Sequence, residues 1–389
     1  MTQSNAQRAT DPNTAYDAVV VGGGQAGLAI AYHLSRRGLH FEVLDAGAST
    51  GHSWRRRWDS LRLFTPAEYC SLPGMPFPAA AGTYPAKDEV ADYLDRYASA
   101  FQLPVLHNVR VRKLTHDGTV FHLDTNQGTR TARQVVVATG AFQQPRIPEL
   151  ARQFSAGVAQ LHSADYVRPT DIPPGRVLVV GAGNSGLQIA AELAATHDVH
   201  VAVGGKQTMV PQRLLGRDLF WWLTTTGLLS RPASSPLARL LRRKGGDLVI
   251  GTSTTSLLAA GVALHGRLIG AQGRSARLAD GDSLEVDAVV WATGFRSEYP
   301  WIDIDGVWDG RQVVHQRGRT PTPGLWFLGL PWQHTRGSAL LGFVKEDAEW
   351  IASQLADSLD RAAVEDCGRD DSWWSQPVAM PEDSAGILP

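Results

Sequence analysis

Asp17-Ala18-Val19-Val20-Val21 runs into Gly22-Gly23-Gly24-Gln25-Ala26-Gly27, and Leu28 to Arg36 follows with apolar residues at helical spacing. A short apolar strand, a G-x-G-x-x-G turn and a helix are the parts of a dinucleotide-binding unit. Gly22 allows the tight turn off the strand, Gly24 lets the backbone approach a pyrophosphate, and Gly27 lets helix and strand pack closely. Gln25 and Ala26 complete the loop, and the anion sits on the positive helix N-terminus. A second strand, 41–44, ends at Asp45, 23 positions after Gly22, where a carboxylate accepts hydrogen bonds from ribose hydroxyls of an adenine nucleotide.

The same frame recurs 159 positions on, with a strand at 176–180, the loop Gly181-Ala182-Gly183-Asn184-Ser185-Gly186 and a helix-patterned run to Leu193. Gly181, Gly183 and Gly186 take the three glycine positions, with Asn184 and Ser185 between them. The strand at 198–203 ends not on a carboxylate but on Gly204-Gly205-Lys206, with Arg213 beyond. A cation there attracts a 2′-phosphate that an anion would repel, which favours NADPH and leaves NADH possible. Lys206 also reads simply as a solvated loop lysine.

Two such units predict an α/β protein with two Rossmann-like dinucleotide-binding domains. Strand-like runs at 286–291 and 325–328 are assigned to the first. The second, NAD(P)H-binding domain (170–285) is then inserted into an FAD-type domain made of 16–169 and 286–364. Residues 1–15 and 365–389 read as tails. In the latter, Trp373-Trp374 suits either a strap across the protein's own surface or a docking point.

Composition narrows the classes further. With 37 basic and 38 acidic residues the 389-residue chain carries no nucleic-acid footprint. The two cysteines, Cys70 and Cys367, lie 297 positions apart with no CxxC, so neither a metal site nor a dithiol pair is indicated. No apolar run approaches the ~20 residues of a membrane span, and the polar start lacks a signal-peptide core, so a cytoplasmic protein is expected. The apolar stretch Leu219-Phe220-Trp221-Trp222-Leu223 reads as core or a dimer seam, or else as a lid over a substrate channel. Arg242-Arg243-Lys244 behind it permits only a weak membrane contact.

With both loops in view the chain resembles the flavin-containing monooxygenases, especially small bacterial and plant YUCCA-type members, from about Tyr16 to Ala356. Gly51-His52-Ser53-Trp54 and Trp58 to Leu63 are similar to the family's flavin-contacting stretch. Leu72 to Pro78 and Tyr84-Pro85 are similar to its next landmarks. Ala138-Thr139-Gly140 and Ala292-Thr293-Gly294-Phe295 resemble the segments where the chain crosses between domains, and Gly324 to Gly329 with Gly337 to Gly342 the C-terminal flavin lid.

The resemblance implies FAD and NADPH as cofactors, and O2 with a small organic molecule as substrates. One oxygen atom would be inserted at nitrogen, sulfur or a ketone carbon through a flavin C4a-hydroperoxide. It implies that Ser53 and Trp54 flank the flavin, that Arg62 meets its phosphate or ring oxygens, and that Gly140 marks a crossing. Asn184 would be the catalytic side chain, its amide contacting NADP or the flavin edge, or else brace the loop.

Two departures stand out. The family fingerprint F-x-G-x-x-x-H-x-x-x-Y survives as Phe154, Gly157, His162 and Tyr166, one residue longer on either side of Gly157; His162 is expected to cap a turn. Phe64 stands where some members place a flavin-facing Asn, and Gly204 or Gly205 where many carry Arg. The loss at Phe64 keeps alive an NAD(P)H oxidase or quinone-type reductase that releases hydrogen peroxide, and a slow flavin-binding sensor is the rival from another class.

Overall fold

The computed structural model describes residues 15–205, 208–243 and 248–369. The expectations for the outer tails, Trp373-Trp374, Lys206 and Lys244 fall outside these residues. Valine-rich runs bury both faces, as parallel sheets require. Ten strands form two sheets: β1 (Ala18–Val21), β2 (Phe41–Leu44), β3 (Val105–Leu106), β4 (Val135–Val137), β5 (Ala159–His162), β6 (Arg176–Val180), β7 (Asp198–Ala202), β8 (Ala263–His265), β9 (Ala288–Trp291) and β10 (Leu325–Phe327). Of these, β3, β5 and β8 are only partly buried. The first sheet has the order β10-β4-β1-β2-β3 and the second β8-β7-β6-β9-β5, each five-stranded and parallel throughout.

The two sheets share one plan. The strand before each glycine loop, β1 or β6, lies at the centre. The loop leads into α1 (Gln25–Arg36) in the first and α3 (Asn184–Leu193) in the second; α2 (Lys87–Ala100) lies between them in sequence. Each sheet also carries a three-stranded antiparallel meander, within 111–132 before β4 and within 268–285 before β9.

Two strand assignments need correction. The run 286–291, expected in the first sheet, pairs through Ala288–Trp291 with Val177–Val180 of the second. Ala159–His162, expected within the first domain, is the second sheet's edge, paired with Ala288–Trp291. An apolar run reads alike in either sheet; the partner strand alone decides where it goes. The final helix, α5 (Val344–Arg369), continues into the stretch read as tail. Val344, Ala348, Ile351, Ala352, Leu355 and Leu359 form its buried stripe in the core shared with α1.

All strands of the second sheet fall between β4 and β10 in sequence. The two crossing segments are zipped together, Gln144–Pro145 pairing antiparallel with Phe295–Arg296. Residues 52–63 rivet the halves: Trp54 packs on the first core, while Trp58 is buried in the second beside Tyr166 and Val177. Asp59 N–H donates to Val167 O, 2.8 Å. The indole N–H of Trp58 is buried and unpartnered. Trp58→Ala is therefore expected to lower unfolding free energy by about 3–5 kcal/mol, and Trp58→Phe by far less because no hydrogen bond is lost. Urea unfolding of the flavin-free protein checks both.

Candidate functional site

Each glycine loop is shaped by two close approaches and one opening. Gly22 has φ +109°, and a Cβ there would stand 2.6 Å from Ala138 O. A Cβ on Gly27 would overlap Gly22 O, so the first turn of α1 lies against the strand end. Gly24 is extended (φ −79°, ψ −170°) and a Cβ there meets nothing within 4 Å. The second loop repeats this: Gly181 (φ +114°) is crowded by Ala292 O, Gly186 by Gly181 O, and Gly183 (φ −79°, ψ −179°) faces open space. No side chain caps α1 or α3, so the first-turn amides of both helices are left for a ligand.

The residues around the first loop have distinct tasks. Asp45 ends β2 and accepts from Gly23 N–H at 2.6 Å and Gly47 N–H at 2.5 Å, fixing the loop's shape. Gln25 reaches across to Ala339 O at 3.0 Å, and Ala26 lies 2.9 Å from where a Cβ on Gly329 would sit, so the C-terminal segment closes on this loop. Gly140 (φ +74°) turns the chain out of β4, and Gln143 Nε2 donates to its carbonyl at 2.9 Å. Ser53 is exposed on the helical turn His52–Arg55. That turn is pressed on α2, since a Cβ on Gly51 would stand 2.8 Å from Ala91 Cα. Buried Lys87, which carries no sequence signal, donates to Arg55 O at 3.2 Å.

Three expected roles change. The Asn184 amide is engaged on both sides, Nδ2 donating to Leu248 O at 2.9 Å and Oδ1 accepting from Ile250 N–H at 3.0 Å. It braces the loop to the strand Leu248–Ile250, and the expectation of a catalytic amide gives way to that of a brace. Arg62 is exposed and donates to Tyr84 O at 3.1 Å, while its own carbonyl accepts from Gln188 of α3 at 3.4 Å; it stands by the second loop's helix. Arg213 opens a short exposed hairpin, and its charge offsets only a small part of the rise in the Tyr84 pKa. Ser185 is exposed on α3.

In the apolar stretch at 219–223, Leu219 and Phe220 are core and Leu223 packs on them, while Trp221 and Trp222 stay half-buried. The stretch forms α4 (Leu219–Thr225), capped by Asp218, which accepts from Phe220 N–H at 2.7 Å. Phe220 stacks on Phe64 (6.2 Å between ring centres) and contacts Tyr69 and Phe343, so Phe64 belongs to an aromatic cluster spanning both halves. Tyr84 O–H donates to Asp218 at 2.7 Å; burial and that carboxylate push its pKa up to about 12. Gln212 Nε2 ties Phe64 O to Asp218, 3.0 Å each.

His162 caps a turn, as expected: Nδ1 accepts from Ala164 N–H at 3.1 Å and Nε2–H donates to Gly294 O at 3.0 Å. Both bonds require the neutral ring, and burial holds its pKa below the ordinary value. Arg57 lies over the Phe142 and Phe295 rings at the same crossing, 5.6 Å from each. Cys70 donates to Thr65 O and Pro66 O, and burial pushes its thiol up to about 12, so it is inert. Asn184→Ala should cost about 1–3 kcal/mol by orphaning two backbone groups while turnover per bound flavin stays within a few-fold. Thermal unfolding alongside steady-state kinetics checks this, and lost turnover at unchanged stability would restore a catalytic role.

Residues 19–214 match the family described as pyridine nucleotide-disulphide oxidoreductase. The CzcO-like oxidoreductase of Geobacillus kaustophilus is 42% identical over 87% of this chain and 98% of its own length. The indole-3-pyruvate monooxygenase YUCCA1 of Oryza sativa is 30% identical over 79% of this chain and 83% of its own. Among solved structures, the flavin-containing monooxygenase of Stenotrophomonas maltophilia superposes with a TM-score of 0.74 at 32% identity, covering 89% of this chain and 99% of that one. Disulphide chemistry has no thiol pair to work with here, since Cys70 is inert and the other cysteine lies 297 positions away. Paired glycine loops on parallel sheets without a dithiol, together with these relatives, place the chain in the flavin-containing monooxygenase family, and it is an oxidoreductase.

Proposed function

We infer that this chain uses NADPH and FAD to transfer one atom of O2 to a small organic substrate at nitrogen, sulfur or a ketone carbon. Substrate, O2, NADPH and a proton would give oxygenated substrate, NADP+ and water. The observation that carries this reading is the doubled loop. Two uncapped helix starts each face a glycine whose missing side chain leaves open space, one per parallel sheet. The sheets are read as two Rossmann-like domains, FAD on the first loop and NADPH on the second, the second inserted between β4 and β10.

The chemistry that bound FAD supplies is hydride acceptance and O2 activation. The amides at the start of α1 bind the FAD diphosphate, and those of α3 that of NADPH. Each Asp45 oxygen keeps a second acceptor site for the ribose hydroxyls beyond its bond to the loop. Ser53 and Trp54 present the turn that flanks the ring, held by Gly51 and Lys87. The aromatic cluster of Phe64, Tyr69, Phe220 and Phe343 walls the space between the halves and excludes water.

One observation favours the peroxide-releasing oxidase as a second reading. Phe64 has no amide to offer, and the amide donors of Asn184 and Gln212 are bonded to backbone and Asp218.

Gly24→Ala is expected to fold with an unchanged unfolding midpoint yet retain FAD about tenfold more weakly, a loss of about 1.4 kcal/mol. Gly27→Ala should destabilise the fold itself by about 1–3 kcal/mol or more. Flavin-to-protein absorbance ratios with denaturant midpoints check the pair, and full FAD content in Gly24→Ala overturns the first-loop assignment. Rapid mixing of NADPH-reduced holoenzyme with oxygenated buffer decides between the readings. A long-lived near-ultraviolet absorbing species and little hydrogen peroxide are expected. Immediate return of the oxidised flavin spectrum with stoichiometric peroxide would establish the oxidase.

A further inference from the structure

Strand β7 is followed, after Val203, by Gly204-Gly205, two exposed residues without side chains; a Cβ on either would meet nothing within 4 Å. A nucleotide's adenosine ribose sits at that end of the strand, where Lys206 follows in sequence and the fold adds a second cation. It comes in from the neighbouring strand. Arg267 follows β8 by two residues, and its Nε donates to Gly204 O at 2.8 Å while Nη2 donates to the same oxygen.

This guanidinium is held in place but not used up. Val203 N–H donates to His265 O at 3.0 Å, Gly266 N–H to Asp280 Oδ2 at 2.6 Å, and Ala279 N–H to Arg267 O at 2.8 Å. The backbone on both sides of the side chain is therefore fixed. Arg267 is exposed and pairs with no carboxylate among the described residues. The carboxylates on the adjoining turn are engaged, Asp280 with Gly266 N–H and Asp282 with His265 Nδ1 at 3.1 Å. Of the five N–H donors of a guanidinium, those spent lie along the Nε–Nη2 edge. The Nη1–Nη2 edge keeps its hydrogens, and such an edge binds a phosphate through two parallel bonds.

We propose that Arg267 is the 2′-phosphate receptor of this chain and sets its coenzyme selectivity. It reaches the ribose end of β7 from two residues beyond β8. The proposal rests on the reading of the second loop as the NAD(P)H site. Gly204 carries the orienting carbonyl, and its lack of a side chain leaves room for the phosphate between strand end and arginine.

Calorimetric titration of FAD-loaded protein with 2′,5′-ADP and 5′-ADP tests it without turnover. Wild type is expected to bind 2′,5′-ADP about tenfold to a hundredfold more tightly than 5′-ADP, the size of a charge-assisted phosphate contact. Arg267→Gln should abolish most of that preference while leaving 5′-ADP affinity within about twofold, and Arg267→Lys should restore part of it. KM for NADPH should rise in parallel, with KM for NADH and kcat unchanged.

Equal losses for both nucleotides in Arg267→Gln would mean that the side chain only ties down Gly204, and would overturn the proposal. So would an undiminished preference in that variant, or a wild type with none. A wild type that prefers 2′,5′-ADP but oxidises neither coenzyme would instead sink the enzymatic reading and leave Arg267 as the receptor.

Discussion

A backbone carbonyl lodged where a side chain would be is the contact on which the rest of this molecule depends. Gly22 O fills the place of a Cβ on Gly27, and Gly181 O that of a Cβ on Gly186. Strand end and helix start can then lie against each other, which aims the uncapped amides of α1 and α3 along the C-terminal edge of each sheet. A methyl group at either position would push the helix away, and the anion site would open with it. The chain builds this contact twice, so both halves present the same kind of pocket.

Holding the two halves together falls to residues outside the glycine loops. Trp54 and Trp58, four positions apart in sequence, are anchored in different cores. The crossing segments are zipped by Gln144–Pro145 against Phe295–Arg296 and bolted by neutral His162 on Gly294 O. Phe64, Tyr69, Phe220 and Phe343 form a third, aromatic contact between the halves. Burial of these rings is nondirectional and brings the halves together. The hydrogen bonds of His162, Gln212 and Tyr84 set the register at which they meet.

The departures from the family pattern make sense at this junction. Phe64 trades a polar contact for a place in the aromatic wall, and its carbonyl is held by Gln212. Asn184 turns to the Leu248–Ile250 strand and fixes the second loop against the segment that follows α4. Gly204 and Gly205 stand where many members carry Arg, and Arg267, two residues past β8, bonds to the Gly204 carbonyl. In each case a nearby element takes the space or the charge that the usual residue would have supplied.

Local chemistry made part of this readable in advance. Strand, G-x-G-x-x-G turn and helix are contiguous, and the positive φ at Gly22 and Gly181 and the contacts of Gly27 and Gly186 with the loops' own carbonyls are local demands. Gly22, Gly24 and Gly27, with their counterparts Gly181, Gly183 and Gly186, were therefore legible, as was Asp45 at the end of the next strand. Tertiary structure decided what depends on partners distant in sequence. An apolar run such as Val286–Trp291 suits either sheet until Val177–Val180 pairs with it. The Asn184 amide could face a ligand or a strand, and Leu248 and Ile250, more than sixty residues away, settle it. Arg267 and Lys87 carry no motif at all. A hydrogen bond is made at about 3 Å whatever the separation along the chain, and only the folded chain brings those atoms together.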